Sequence, residues 1–222
     1  MDSSFFLTRP SVMVTARVSS CNPNKWISDY LSRGISPHYS ESDGVLVLNQ
    51  KCIRDRRVDS SMGRRHNPKK RSVAGRFVQK GDVLVNSTGV GTLGRVAQVM
   101  SLEEDTIVDS HVTIVRANNA LVSWNYIGIN LAGREAEIEA LGEGSTGQTE
   151  LSRARLAQLD VLLPSSALIT AFDPITLPLR ERATFNGHES RTLAQTRDLL
   201  LPKLMSGEIR VKDAEKAVER AL

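Results

Sequence analysis

Residues 81–94 read GDVLVNSTGVGTLG. Asp82, Val83, Leu84 and Val85 open the stretch as a short β-branched, apolar run, the composition of a buried strand. Gly89, Gly91 and Gly94 then punctuate a loop, and residues 95–100, RVAQVM, restart a strand-like pattern. The loop spells G-x-G-x-x-G, which invites a dinucleotide site. That site needs a helix directly after the glycines, so that its N-terminal N–H groups meet the pyrophosphate. Here Val96, Ala97 and Val99 lead instead to a second β-branched run at residues 106–108. Strand, loop, strand is the pattern, and a glycine-rich turn between strands is the reading it supports, glycine tolerating positive φ at little cost.

The surroundings extend this. Strand-like runs at residues 45–48, 82–86, 95–99 and 112–115 recur at short spacing with turn residues between them. Residues 26–31 read as a short helix ended by Gly34, and residues 52–58 as extended chain or loop. Residues 123–131 and 135–141 read as helices. A second glycine-rich loop, GEGSTGQTE at 142–150, precedes a last short strand at 161–163, closed by Pro164. The expected class is α+β: a mostly β domain with short helices over residues 26–164. Residues 1–25 carry no firm periodicity and read as an irregular lead, with Cys21-Asn22-Pro23-Asn24 as a turn.

The chain has 222 residues, 40% of them hydrophobic, enough for one core and an extension. Cys21 and Cys52 sit in no ligand spacing, and a reduced, cytoplasmic protein is the default. No apolar run approaches the roughly 18 residues of a membrane span. The N-terminus holds Phe5, Phe6 and Leu7 but no signal-peptide core.

Charge is unevenly placed. Lys51, Arg54, Arg56, Arg57, Arg64, Arg65, Lys69, Lys70, Arg71 and Arg76 are opposed only by Asp55 and Asp59 between positions 51 and 76, a net of +8 in a chain whose total is +4. The remainder therefore carries −4. Such asymmetry points to a polyanionic partner, nucleic acid first, against the alternative of a solvated loop with no partner.

After Pro164 the pattern changes. Phe172, Leu179, Asn186, Leu193 and Leu200 recur every seven residues, with Leu204 continuing the apolar face. Leu168 and Ile175 fill the intervening core position early, and Arg182, Glu189 and Thr196 fill it later: a heptad stripe with a polar middle. Pro174 and Pro178 argue for broken or kinked first turns, so the well-formed helix is expected from Pro178, as N1, to about Gly207, with Pro202 kinking its last turns. Residues 165–211 are thus a spacer or dimerisation helix region and 212–222 a charged tail. The stripe either folds back on the globular half or meets a partner helix; its length favours the partner.

Chemistry is sparse. His38, His66, His111 and His188 show no ligand spacing, and no metal site is expected. Asp109-Ser110-His111 has no nucleophile pattern around it. No G-x-S-x-G occurs. Asn22-Pro23-Asn24-Lys25-Trp26 is only partly similar to the N-P-P-[YF] of amino-methyltransferases, and no methyl-donor fold accompanies it. No active site and no cofactor are expected.

Four stretches carry a family resemblance: GISPHYSE at 34–41, VLNQKCIRDRRVD at 47–59, FVQKGDVLVNSTGVGTLGRVA at 77–97 and STGQTELSRARLAQLDVLLP at 145–164. Together they resemble a target recognition domain of the specificity subunit of type I restriction–modification enzymes. Residues 189–211, ESRTLAQTRDLLLPKLMSGEIRV, resemble the helix that ends such subunits. The resemblance implies a DNA-reading module without catalytic activity of its own. Such a module docks methyltransferase subunits, and through them restriction subunits, on a bipartite double-stranded target, with helices as the spacer.

Full subunits of the family carry two recognition domains and two spacer helices. One of each stands here, the make-up of a half subunit or of the distal half of a split one, and residues 1–25 do not match the usual lead-in. Antiparallel pairing of two copies through Phe172, Leu179, Asn186, Leu193, Leu200 and Leu204 would restore a two-fold arrangement and favour a palindromic target. The resemblance makes residues 88–94 a recurrent loop between two strands, either structural or close to DNA. The expected DNA-contacting set is the ten basic residues above with His66, Thr88, Gly89, Gly91 and Thr92. Arginine suits guanine O6 and N7, whereas lysine mainly neutralises phosphate. The alternative is a free-standing DNA-binding or interaction protein that no longer assembles with a methyltransferase.

Overall fold

The structure is a computed structural model, and it describes residues 14–17, 27–41, 43–144 and 149–220; at 14–17, 213–214 and 217–218 it describes the backbone alone. The turn expected at 21–24, Trp26 and Gly147 fall outside the described residues. The chain divides into two units, residues 1–174 and 175–222.

In the first unit the strands are β1 (Val14–Arg17), β2 (Ser28–Arg33), β3 (Tyr39–Ser40), β4 (Val45–Leu48), β5 (Ile53–Arg54), β6 (Arg57–Val58), β7 (Arg64–His66), β8 (Val83–Asn86), β9 (Val96–Gln98), β10 (Thr106–Val108), β11 (Val112–Ala117) and β12 (Asp160–Leu163). Three short helices, α1 (Trp124–Ala132), α2 (Glu135–Ala140) and α3 (Arg153–Ala157), lie between β11 and β12. One antiparallel sheet has the order β2-β11-β8-β9, and a second has the order β10-β4-β7-β3 with β10 parallel to β4. β5 and β6 form a separate hairpin, and β1 pairs with β12.

β8 explains the layering. Every residue of Val83–Asn86 is buried, as a strand covered on both faces must be. Val83 and Val85 join Val96 and Val115 beneath Ile127, Leu131, Ile138 and Leu156 of the helices. Leu84 faces the other way, with Ala97 and Ile114, onto Leu46 and Leu48 of β4 and Ile53 of the hairpin. The alternation of side chains along a strand thus serves two cores from one run. Burying each such side chain is worth about 1.5–3 kcal/mol. A third cluster, Ile35, Val47, Val73 and Ile107, seals the far face of the second sheet.

The helices begin where the sequence places them. Ser123 caps α1 by accepting the Asn125 N–H, and Ser152 caps α3 by accepting the Arg155 N–H. The helix expected at 26–31 is instead strand β2, paired antiparallel to β11 from Arg33↔Thr113 to Ser28↔Ala117. An open edge of a buried strand outweighed weak local preference. The basic stretch is also not a plain loop. It contains the β5–β6 hairpin, a 3-10 turn at Ser60–Met62 and strand β7.

The long helix α4 spans Ser166–Met205 without interruption, and α5 (Val211–Glu219) follows. The expected start at Pro178 is therefore wrong by about three turns. Pro174, Pro178 and Pro202 all lie at exposed positions of α4, as do Thr170 and Asp198. The carbonyls that lose their N–H partners, those of residues 170, 174 and 198, thus belong to residues at the helix surface, where water can satisfy them, and the helix absorbs the three prolines. Gly207, at φ +75°, ends it, its N–H donating to the Leu204 carbonyl at 3.2 Å.

Candidate nucleic-acid interface

The glycine-rich stretch is a tight turn between the antiparallel strands β8 and β9. The N–H groups of Thr92 and Leu93 both donate to the Gly89 carbonyl, at 3.1 and 3.0 Å, and the Gly94 N–H donates to the Asn86 carbonyl at 2.9 Å. Gly94 has φ +79°, and a Cβ there would stand 2.6 Å from the Glu139 backbone nitrogen of α2. Gly89 has φ +104°, and a Cβ there would stand 2.4 Å from Gln50 Oε1. The glycines thus fit the turn beneath α2 and against residue 50. No helix follows them, and the dinucleotide reading falls on geometry as well as on pattern.

Gln50 opens a 3-10 turn, Gln50–Cys52, whose cap is Asn49, accepting the Lys51 N–H at 2.8 Å. The Gln50 carbonyl accepts the Asn86 side-chain N–H at 3.1 Å, and Thr92 Oγ1 lies 3.4 Å from Gln50 Oε1. The start of the basic segment is thereby bound to the glycine turn. On the turn's other side Thr88 Oγ1 and His111 Nδ1 are 2.7 Å apart. Of the expected turn residues, Gly91 is exposed while Thr88, Gly89 and Thr92 are half-buried. Val90, between the glycines, is 89% exposed.

Asp109, Ser110 and His111 do not form a catalytic relay. Asp109 Oδ1 accepts the backbone N–H of His111, at 2.9 Å, rather than a ring N–H. A relay needs the carboxylate on the imidazole. Burial raises the Asp109 carboxyl above the usual carboxylate range, against the lowering effect of that N–H. Cys52 is fully buried, and burial pushes its thiol up to about 11, so it is inert.

The ten cations of residues 51–76 are not equivalent. Lys51, Arg54, Arg56, Arg57, Arg64, Lys69, Lys70, Arg71 and Arg76 are exposed, and Arg65 is half-buried. Arg54 and Arg57 are direct cross-strand partners in the β5–β6 hairpin. The two residues between them, Asp55 and Arg56, have φ of +52° and +59°. That is the backbone of a two-residue hairpin turn, built without the glycine that usually relieves it. Like charges placed directly opposite destabilise a strand pair. The hairpin therefore concentrates three arginines at some cost to itself.

β7 splits its arginines. Arg65 leaves one face, where Glu104 holds it in a two-pronged ion pair. The same pair lowers the Glu104 carboxyl, chiefly through the hydrogen bond from Arg65. Arg64 leaves the opposite face, and its guanidinium carbon lies 3.4 Å from the centroid of the Tyr39 ring. Arg71 donates to the Ser36 carbonyl at 3.0 Å. His66 is a correction: it is fully buried, its Nδ1 accepts the His38 N–H at 2.9 Å and its Nε2 lies 2.8 Å from the Arg71 carbonyl. Both ring nitrogens are used inside the fold, so His66 is a core residue and not a contact for a ligand. Tyr39, Gln50, Glu104 and His111 were absent from the expected set. Tyr39 and Gln50 lie within the resembling stretches 34–41 and 47–59, whereas Glu104 carries no local signal.

A second arginine cluster lies elsewhere. Asp82, fully buried, receives Arg116 through Nε at 2.7 Å and Nη2 at 2.8 Å, and also accepts the Gln79 N–H at 2.8 Å. That hydrogen bond raises the Arg116 guanidinium. The pair fixes the turn into β8 and is structural. Arg33 lines an open cleft with Leu31 and Ala157, but its Nη1 pairs with Glu150 and its Nη2 donates to the Leu151 carbonyl at 2.6 Å. Among the described residues no group of three metal-ligating side chains occurs, and no helix is long and apolar enough to cross a membrane.

The heptad residues also sort. Phe172 meets Tyr126 of α1 edge-on, ring centroids 5.9 Å apart, within the first unit. Asn125 Nδ2 donates to Asp173 Oδ1 beside it, at 3.0 Å. Phe172 is thus a domain contact rather than part of an open stripe. In the second unit Leu179 is 66% and Leu193 51% exposed, Asn186 is exposed, and Leu200 and Leu204 are half-buried. At 3.6 residues per turn, Ile175, Leu179, Asn186, Leu193, Leu200 and Leu201 fall in one arc of about 100°.

Comparison with known proteins points one way. No protein-family model matches the chain. A stretch of 84 residues, 38% of this chain and 18% of its relative, is 27% identical to the specificity subunit of the type I restriction enzyme HindI of Haemophilus influenzae. Among solved structures, the fold is similar to a type I restriction–modification S subunit from M. genitalium, with a TM-score of 0.56 and 14% identity, over 86% of this chain and 49% of that one. It is similar to a chain from a structure of type I restriction–modification complex assembly, at TM-score 0.52 and 14% identity over 90% and 47% of the two chains. The HsdS subunit from Thermoanaerobacter tengcongensis gives 0.50 and 14% over 90% and 46%. The chain thus spans about half the length of these solved relatives.

Proposed function

We propose that this chain, whose domain is of the type I specificity-subunit kind, recognises one half of a bipartite double-stranded DNA target and brings methyltransferase subunits to it. The observation that carries the proposal is the agreement of fold over most of the chain with specificity subunits, joined to sequence identity with one of them. The exposed cations of residues 51–76, with the glycine turn beside Lys51, supply a surface of the right sign for DNA. The chain acts without catalysis of its own and in the cytoplasm, where its partners and substrate lie. Restriction subunits join through the methyltransferase.

The arc of α4 centred on Asn186 is the assembly face. Its occupant in this reading is a second copy of the chain, laid antiparallel, which supplies the other half-site reader and makes the target palindromic. Leu179 and Leu193 together would bury two leucines per chain, each worth about 1.5–3 kcal/mol.

The test is co-expression with a type I methyltransferase subunit, followed by purification and a methyl-transfer assay. The complex is expected to hold both proteins and to methylate DNA, and the chain alone to do neither. Leu193→Asp with Leu200→Asp is expected to abolish self-association in analytical ultracentrifugation while circular dichroism stays unchanged. Failure to copurify, with DNA binding retained, would replace this proposal by a free-standing DNA-binding protein.

A further inference from the structure

We infer that Arg64, held over the ring of Tyr39, is the arginine of the basic segment that reads a base, and that the guanidinium recognises guanine. The inference rests on the DNA-recognition reading above. A base-reading arginine needs a free edge of N–H donors, a fixed plane and freedom from a competing carboxylate. Each neighbour fails one condition. Arg65 is held by Glu104, Arg71 donates to the Ser36 carbonyl, and no aromatic ring stacks on Arg54, Arg56 and Arg57 of the hairpin or on Arg76 among the described residues.

Arg64 meets all three. Its guanidinium carbon lies 3.4 Å from the Tyr39 centroid, and among the described residues no ion pair forms on it. The Tyr39 ring covers one side of the group, and Arg64 is otherwise exposed, so N–H donors remain within reach of a ligand. Tyr39 sits on β3, the last strand of the second sheet, where it pairs with His66 of β7, and Arg64 lies two residues before His66 on β7. His66, anchored at both ring nitrogens, holds that register. A guanidinium held in this way loses little freedom on binding, which suits two parallel bonds to guanine O6 and N7. A phosphate contact needs no such fixed plane.

The experiment is selection of binding sites by the full chain from a randomised double-stranded DNA pool, for the parent, Arg64→Ala, Arg64→Lys and Tyr39→Leu. Arg54→Gln with Arg57→Gln serves as the phosphate-contact comparison, and thermal melts confirm that each variant folds. The parent is expected to enrich a motif with guanine at one position. Arg64→Ala should flatten that position alone, by on the order of ten-fold to a hundred-fold in preference. Arg64→Lys should flatten it too while keeping the salt dependence of affinity, and Tyr39→Leu should weaken it. The hairpin pair should instead lower affinity for all sequences and reduce the salt slope. A motif that survives Arg64→Ala at every position overturns the inference and leaves the DNA-recognition reading standing. So does an Arg64→Ala variant that behaves like the hairpin pair. A parent that enriches no motif overturns both.

Discussion

The glycine turn at 88–94 and the basic segment at 51–76 are neighbours joined by Gln50, yet they are built on opposite terms. In the turn, backbone groups find partners inside the protein and two of the glycines are demanded by close approach. In the basic segment, nine of ten cations are exposed, two stand directly opposite each other, and two residues hold positive φ without being glycine. A segment arranged only for stability would not do this. The more conspicuous motif is scaffold, and the less regular one is the surface that the proposal gives to DNA.

The largest break to this comparison is Gly94→Val. Positive φ and a Cβ against the α2 backbone together cost roughly 2–6 kcal/mol, and a urea or thermal melt should show it. DNA affinity measured on the remaining folded fraction should be unchanged. The next is replacement of Arg54, Arg56, Arg57, Lys69 and Lys70 by Gln. Stability should hold or rise slightly, because like charges are removed, while the log–log salt slope of DNA binding falls by up to about 4.5, at about 0.9 for each phosphate contact. Arg65→Gln, whose charge Glu104 already offsets, should leave that slope almost unchanged.

Gly91→Ala sharpens the contrast. Gly91 has φ +69° but open space around a new Cβ, so only backbone strain applies, about 1–2 kcal/mol. The smallest effect is Asp109→Asn. Burial holds the Asp109 carboxyl above its ordinary value, so its ionised form costs stability at pH above the folded pKa. That cost fades as pH falls through the folded pKa toward the ordinary value near 4. Asparagine keeps an Oδ1 for the His111 N–H. The variant should therefore be equal or more stable at neutral pH, within about 1 kcal/mol. Its melting temperature should also vary less than the parent's over the window just above pH 4.

Much of the scaffold was legible. The apolar runs of β4, β8, β9 and β11 mark buried strands, and Ser123 announces α1 by the cap that it makes. What failed was set by tertiary partners. Residues 28–33 have weak preference of their own and become a strand only because β11 offers an edge. The prolines of α4 suggest breaks, yet they fall at surface positions where the lost bonds are cheap. The site was legible as a charge, not as a geometry. Glu104 reaches Arg65 from 39 residues away, and Tyr39 lies under Arg64 through a strand pairing that no local pattern announces. Charge counting treats Arg64, Arg65 and Arg71 as equals; the fold gives each a different partner. His66 sits within the basic run and is core, because the His38 N–H and the Arg71 carbonyl hold its ring inside the fold.

The central claim is that this chain chooses the DNA sequence that a methyltransferase modifies. A single-molecule methylation map of a host carrying the methyltransferase subunit, with and without this chain, tests it most directly. The account predicts a bipartite, palindromic motif methylated only when the chain is present, and lost when the five hairpin and loop cations are replaced. An unchanged methylation map would contradict it.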